Sequence, residues 1–165
     1  MKTSRTPSTP ALVSLLVLAA GGLVSAVALA QTALVPTSTV VAIAGTVTGL
    51  PESVYFTGPA QLSTRPAPGR IAGATAHVVV SIDLRQLSGR GVSTGASYVS
   101  SGHANLTRVF AASDLIQLTF PFVRDGAGPV SPSRTGVATF VLAYDVTTGA
   151  LTAAAATIAA PDLPN

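Results

Sequence analysis

Ala74-Thr75-Ala76-His77-Val78-Val79-Val80-Ser81-Ile82-Asp83-Leu84 is the stretch whose reading decides the fold class. Taken two residues at a time, Ala74, Ala76, Val78, Val80, Ile82 and Leu84 fall on one side. Thr75, His77, Val79, Ser81 and Asp83 fall on the other. Side chains of an extended strand alternate between faces, so this spacing separates an apolar face from a mostly polar one; a helix would smear both sets around its circumference. The stretch reads as a β-strand with one face on a core.

Shorter runs on both sides repeat the pattern. Val40 to Gly49 places Val41, Ile43 and Val47 in phase, and Val54 to Ser63 alternates Val54, Phe56, Ala60 and Leu62 with Tyr55, Thr57, Gln61 and Ser63. Pro59 cannot donate to a ladder, which puts that strand at an edge or a bulge there. Arg65 to Gly69 is a loop. Ser88 to Gly102, with four glycines among five serines, reads either as a long loop or as glycine-rich strand closely approached by another backbone or a partner. Ser97 to Phe110 recovers a strand pattern, with Tyr98, Ala104, Leu106 and Phe110 sharing a face. Ser113-Asp114 resembles a helix cap, but Leu115 to Val123 alternates as a strand, with Ile116, Leu118, Phe120 and Phe122 on one side. Thr135 to Val146 and Ala150 to Ala159 form the clearest hairpin, turning at Thr147-Thr148-Gly149. Ala138, Phe140, Leu142, Tyr144 and Val146 are its expected inner face. The result is an all-β chain, expected as a single antiparallel β-sandwich of about seven strands, with a small closed β-barrel as the alternative.

The chain opens with Lys2 and Arg5, an apolar run from Ala11 to Leu18, and Ala28-Leu29-Ala30 before Gln31. This is the pattern of a secretory signal peptide, residues 1–30, cleaved before Gln31. A tether over 31–39, a β-domain over 40–160 and a frayed end over 161–165 complete the expected organisation. Export to the periplasm or the extracellular space follows, with no membrane segment once the leader is removed. Cysteine is absent from the whole chain, so stability rests on a packed core and not on disulfides.

Of the nine basic residues Lys2 and Arg5 belong to the leader, and the remaining seven arginines stand against six acids. A charge so near balance, with no basic run, excludes tracking of a nucleic-acid backbone. No Gly-x-Ser-x-Gly elbow, phosphate loop or His-Glu-x-x-His motif occurs; Gly91-Val92-Ser93-Thr94-Gly95 has its serine one place out of that elbow. His77 and His103 stand outside any spaced ligand cluster, so neither a metal nor another cofactor is expected. Asn105-Leu106-Thr107 fits a glycosylation sequon only weakly. Val79, Leu115, Val123, Val141 and Ala143 are apolar residues on faces that should point outward, either as scattered surface or as a second face buried by another sheet or chain.

These observations point to an exported, non-catalytic β-domain with a structural, adhesive or accessory binding role, whose partners are another protein chain or its own copies through sheet edges. The alternative is a carrier of small apolar ligands, lined by Phe56, Phe120, Phe122, Phe140 and Tyr144; a hydrolase is a distant third. If the chain has a binding surface, the Ser88–Gly102 stretch and its flanks are the expected place, with Arg90, Tyr98, His103 and Arg108 as its residues. Loops on a rigid scaffold collect binding groups, and Tyr and Arg dominate interaction hot spots.

Overall fold

The period-two alternation becomes nine strands in the computed structural model, which describes residues 34–68, 75–128 and 132–161. They are β1 (Thr37–Val47), β2 (Val54–Pro66), β3 (His77–Asp83), β4 (Ser88–Gly91), β5 (Ser97–Ser100), β6 (His103–Val109), β7 (Ser113–Arg124), β8 (Arg134–Tyr144) and β9 (Leu151–Ala159). No helix occurs among the described residues. The segments 1–33, 69–74, 129–131 and 162–165 lie outside them, and with them the expected signal peptide, Ala74 and most of the frayed end.

The nine strands make one mixed sheet. β1 pairs with β2 along its whole length, from Thr37↔Thr64 to Val47↔Val54. From β2 the ladder passes through β4, β5, β7, β8 and β9, and β9 returns to β1 in parallel at Ala44↔Thr157 and Gly45↔Ile158. Hydrogen bonding therefore runs in a closed circuit of seven strands. β3 and β6 hang outside it, β3 on the C-terminal half of β2 and β6 on β3. The all-β class holds, but the seven antiparallel strands of a sandwich do not. The Gly/Ser-rich stretch adds a hairpin of its own, and Gly45 lets β1 and β9 meet in parallel, because a Cβ there would collide with the Ile158 carbonyl.

Pro59 sits where one edge of β2 passes from β4, which ends at Thr57, to β3, which begins at Gln61. The missing N–H falls where neither of those strands pairs. The expected strand over Ser97–Phe110 is broken into β5 and β6, because at Ser101-Gly102 the chain leaves β7 and joins β3. Ser113 opens a strand and caps no helix. The tether is shorter than expected, since Leu34 is already buried and β1 begins at Thr37.

The inner face carries Ile43 and Val47, Val54, Phe56 and Leu62, Val80 and Ile82, Phe120 and Phe122, Phe140 and Leu142, all essentially inaccessible. Enclosing one such side chain is worth about 1.5–3 kcal/mol. Phe56 meets Phe122 edge-on at 4.8 Å between centroids and Phe120 at 5.6 Å. Two expected faces are corrected. Val79, assigned to the outside, is buried, flanked in register by Arg65 and Thr107 on the two neighbouring strands. Val146, assigned to the core, is exposed, because β8 ends at Tyr144 and the Asp145 carboxylate takes the Thr147 and Thr148 amides into a turn. Leu115 and Val141 are exposed as read.

The strand phase has a direct test. Phe120→Ala is expected to cost about 3–5 kcal/mol in denaturant unfolding, as for a fully enclosed ring. Thr119→Ala, on the solvent face, is expected to stay within about 0.5 kcal/mol of the parent. Equal losses at the two positions would mean that the faces of β7 are misassigned.

Candidate functional site

Three connections meet at one end of the strand circuit: residues 48–53 between β1 and β2, the Val92–Gly95 turn between β4 and β5, and the β7–β8 connection. Glu52 is their centre. Its side chain is buried, an expensive place for a carboxylate unless donors replace its water. Five do. Oε2 accepts from the Ser93 amide at 3.3 Å, the Ser93 hydroxyl at 2.9 Å and the Thr94 amide at 3.0 Å. Oε1 accepts from the Thr94 hydroxyl at 2.7 Å and the Tyr98 hydroxyl at 3.0 Å.

The local sequence explains why the turn can close on that carboxylate. A Cβ at Gly91 would land on the Glu52 carboxylate itself, so only glycine leaves the space. Gly95, at φ 70°, takes the left-handed conformation that brings its N–H back to the Gly91 carbonyl at 2.9 Å. The Thr94 hydroxyl foremost, with the Thr94 amide, Ser93 and Tyr98, holds the Glu52 carboxyl down at about 2 against the opposing effect of burial. Burial, then the bond to Glu52, pushes the Tyr98 phenol up.

Beside this lock lies a cleft of about 730 Å³, within the range of ligand sites, bounded by Pro51, Glu52, Tyr98, Arg124, Asp125 and Arg134. Arg134 is fixed on two sides: Nη1 donates to the Glu52 carbonyl at 2.8 Å, and the guanidinium lies 5.1 Å from the centroid of the Phe122 ring. Arg124 and Asp125 are exposed at the rim. Glu52 stays ionised with its lone pairs engaged, and Tyr98 keeps its proton, so neither serves as an acid or base near neutral pH. Among the described residues no three potential metal ligands gather. What the cleft presents is the guanidinium groups of Arg124 and Arg134 beside the Asp125 carboxylate, donors together with an acceptor.

The four residues expected to form a binding surface are not brought together. Tyr98 reaches the site, but from inside, buried as a partner of Glu52. Arg90 is exposed on β4, between Tyr55 and Ser97 in register. His103 opens β6 opposite Asp83, beside a shallow outward concavity of about 210 Å³. Arg108, also on β6, is ion-paired with Asp114. β2 and β3 separate β4 from β6 in the sheet. Tyr98→Ala would therefore damage the fold rather than report on a surface.

Sequence reasoning missed Glu52 and Arg134. Pro51-Glu52 reads as an ordinary solvent turn, and the one available signal was a Ser-Thr pair between Gly91 and Gly95, a donor-rich turn in need of an acceptor. His77 bonds locally, Nδ1 to the Thr75 carbonyl at 2.9 Å. No protein-family model matches the chain, and no curated protein or solved structure does.

The lock predicts a pH dependence. Glu52 titrates at about 2 in the folded protein against 4.5 ordinarily, so on acidification the unfolded chain takes up its proton first. Its contribution to stability is complete above pH 4.5 and is lost as the pH falls toward 2. Glu52→Gln keeps a carbonyl for the Ser93 and Thr94 amides and faces its NH₂ toward two hydroxyls that can accept. Thermal melts are expected to show a lower midpoint at pH 7 and a flatter decline between pH 4.5 and 2. Asp83, held at about 2 chiefly by Arg85, titrates in both proteins and cancels in the comparison. Parallel pH profiles for the two proteins would remove Glu52 from this role.

Proposed function

We propose that the chain is an exported, non-catalytic β-domain with a structural, adhesive or accessory binding role in the cell envelope or outside the cell. Its partner is another protein chain, met at the loop end around Arg124 and Arg134 or along a sheet edge. Export rests on the leader-like pattern of residues 1–30 and on a domain that does without cysteine. A recognition role rests on a cleft that presents Arg124, Arg134 and Asp125 beside the locked Glu52.

The observation that carries the reading against a ligand carrier is the filled interior. Phe56, Phe120, Phe122 and Phe140 were the expected lining of a cavity, and instead they are buried, three of them with rings in mutual contact. A barrel that holds a lipid needs those rings to stand back from one another. Nothing in the described loop-end chemistry favours a hydrolase, because the carboxylate beside the Ser93 and Thr94 hydroxyls is held down at about 2, too weak a base to take their protons.

Native mass spectrometry after incubation with a lipid extract separates the readings. The mature protein is expected at its bare mass. Retention of an apolar ligand would overturn the proposal in favour of the carrier.

A further inference from the structure

The inward series of β7 and β8 does not stay apolar to the loop end. Two residues beyond Phe122 comes Arg124, and two before Gly136 comes Arg134, which faces Phe122 in register. Alternation therefore gives both arginines to the side of the sheet that elsewhere buries Phe120 and Phe140. Both line the cleft. Both also act on Tyr98: burial and the bond to Glu52 push its phenol up, and the two guanidiniums oppose that push.

Neither guanidinium is matched by an acid among the described residues, where the ion pairs are Arg85 with Asp83 and Arg108 with Asp114. Arg134 spends Nη1 on a neutral acceptor, the Glu52 carbonyl, which leaves Nε and Nη2 for another group. The Glu52 carboxylate lines the same cleft but already accepts from Ser93, Thr94 and Tyr98. Asp125, the other carboxylate there, is exposed, and its backbone is fixed by its amide donating to the Ser97 carbonyl at 2.8 Å.

We infer that the cleft binds a carboxylate of a partner protein chain on the Arg124 and Arg134 guanidiniums, with a main-chain N–H of the same segment given to Asp125. The planar fork of a guanidinium matches the two oxygens of a carboxylate, and the Phe122 ring, 5.1 Å from that of Arg134, restricts how the fork can turn. Glu52 and Asp125 equal the two arginines in number, so the described lining has no surplus positive charge for a multiply charged anion. Recognition falls to direct hydrogen bonds, and a peptide supplies both the acceptor and the donor that the cleft lacks. The inference deepens the recognition reading above and rests on it for the kind of partner.

The test is NMR of the isotope-labelled protein, following the arginine Nε–H resonances during titration. The probes are a short capped peptide with Asp and Glu at its centre, the same peptide with Asn and Gln in their place, an uncharged peptide with a free C-terminal carboxylate, and inorganic phosphate. A carboxylate-bearing peptide is expected to shift Arg124 and Arg134 saturably, with a Kd of about 1 mM or below, while the amide peptide moves neither. The tighter of the two carboxylate peptides identifies the source as a side chain or a chain end. Arg124→Gln removes no hydrogen bond among the described residues; it is expected to melt close to the parent and to bind about tenfold more weakly, the effect of one charge-assisted hydrogen bond. No saturable shift with either carboxylate peptide, equal affinity for the amide peptide, or tighter binding of phosphate overturns the inference. So does a folded Arg124→Gln protein that binds as well as the parent. A lipid retained in native mass spectrometry would refute the non-carrier reading and leave the peptide titration standing.

Discussion

The closed arrangement depends on three phenylalanine rings and the glycines that make room for them. Phe56 on β2 and Phe120 and Phe122 on β7 meet in the interior, and Phe56 and Phe120 approach backbone that carries no side chain. A Cβ at Gly89 would stand 2.6 Å from the Phe56 ring, one at Gly102 2.6 Å from the Phe120 Cβ, and one at Gly136 2.7 Å from the Phe120 ring. Large rings opposite glycine occupy the layer in a core otherwise built mostly from Ala, Val, Ile and Leu. Gly102 is also where the chain leaves β7 for β3. The residue that admits Phe120 thus sits at the branch from which β6 starts.

The aromatic layer and the Glu52 lock are coupled through Tyr98 and Phe122. Tyr98 packs edge-on against Phe122 at 6.0 Å while its hydroxyl bonds Glu52, and Arg134 lies over the same Phe122 ring while bonding the Glu52 carbonyl. A carboxylate that neither titrates near neutrality nor has a free lone pair is a fastening, not a catalyst. It joins the β1–β2 connection to the β4–β5 turn, and with Arg134 it steadies the start of β8. Held to the Glu52 carbonyl and over Phe122, Arg134 has a defined position at the cleft.

The surface follows a different logic. Few charges interrupt the outer faces, and Leu115 lies beside Val141 in register, both exposed. No second layer in the described residues covers that side, so Leu115 and Val141 remain surface while Val79 is buried. Closure is brief, two register steps between β1 and β9 and three between β5 and β7. β6 is left over because it branches from the circuit instead of completing it.

The all-β class, the inner faces of β2, β3, β7 and β8, and the β8–β9 hairpin were legible in the amino-acid order. Val54-x-Phe56, Val80-x-Ile82, Phe120-x-Phe122 and Phe140-x-Leu142 show their phase within a few residues, because alternation is a property of the extended backbone itself. Glu52 at the site, the break at Gly102, the burial of Val79 and the parallel contact of β1 with β9 were not. Each depends on which distant segment lies alongside: Ser93 and Thr94 beside Glu52, β3 drawing β6 away from β7, Arg65 and Thr107 flanking Val79, the Ile158 carbonyl against Gly45. Local periodicity says which way a side chain points; only the tertiary pairing decides what it points at. A turn carboxylate becomes the most enclosed charge of its loop end for that reason.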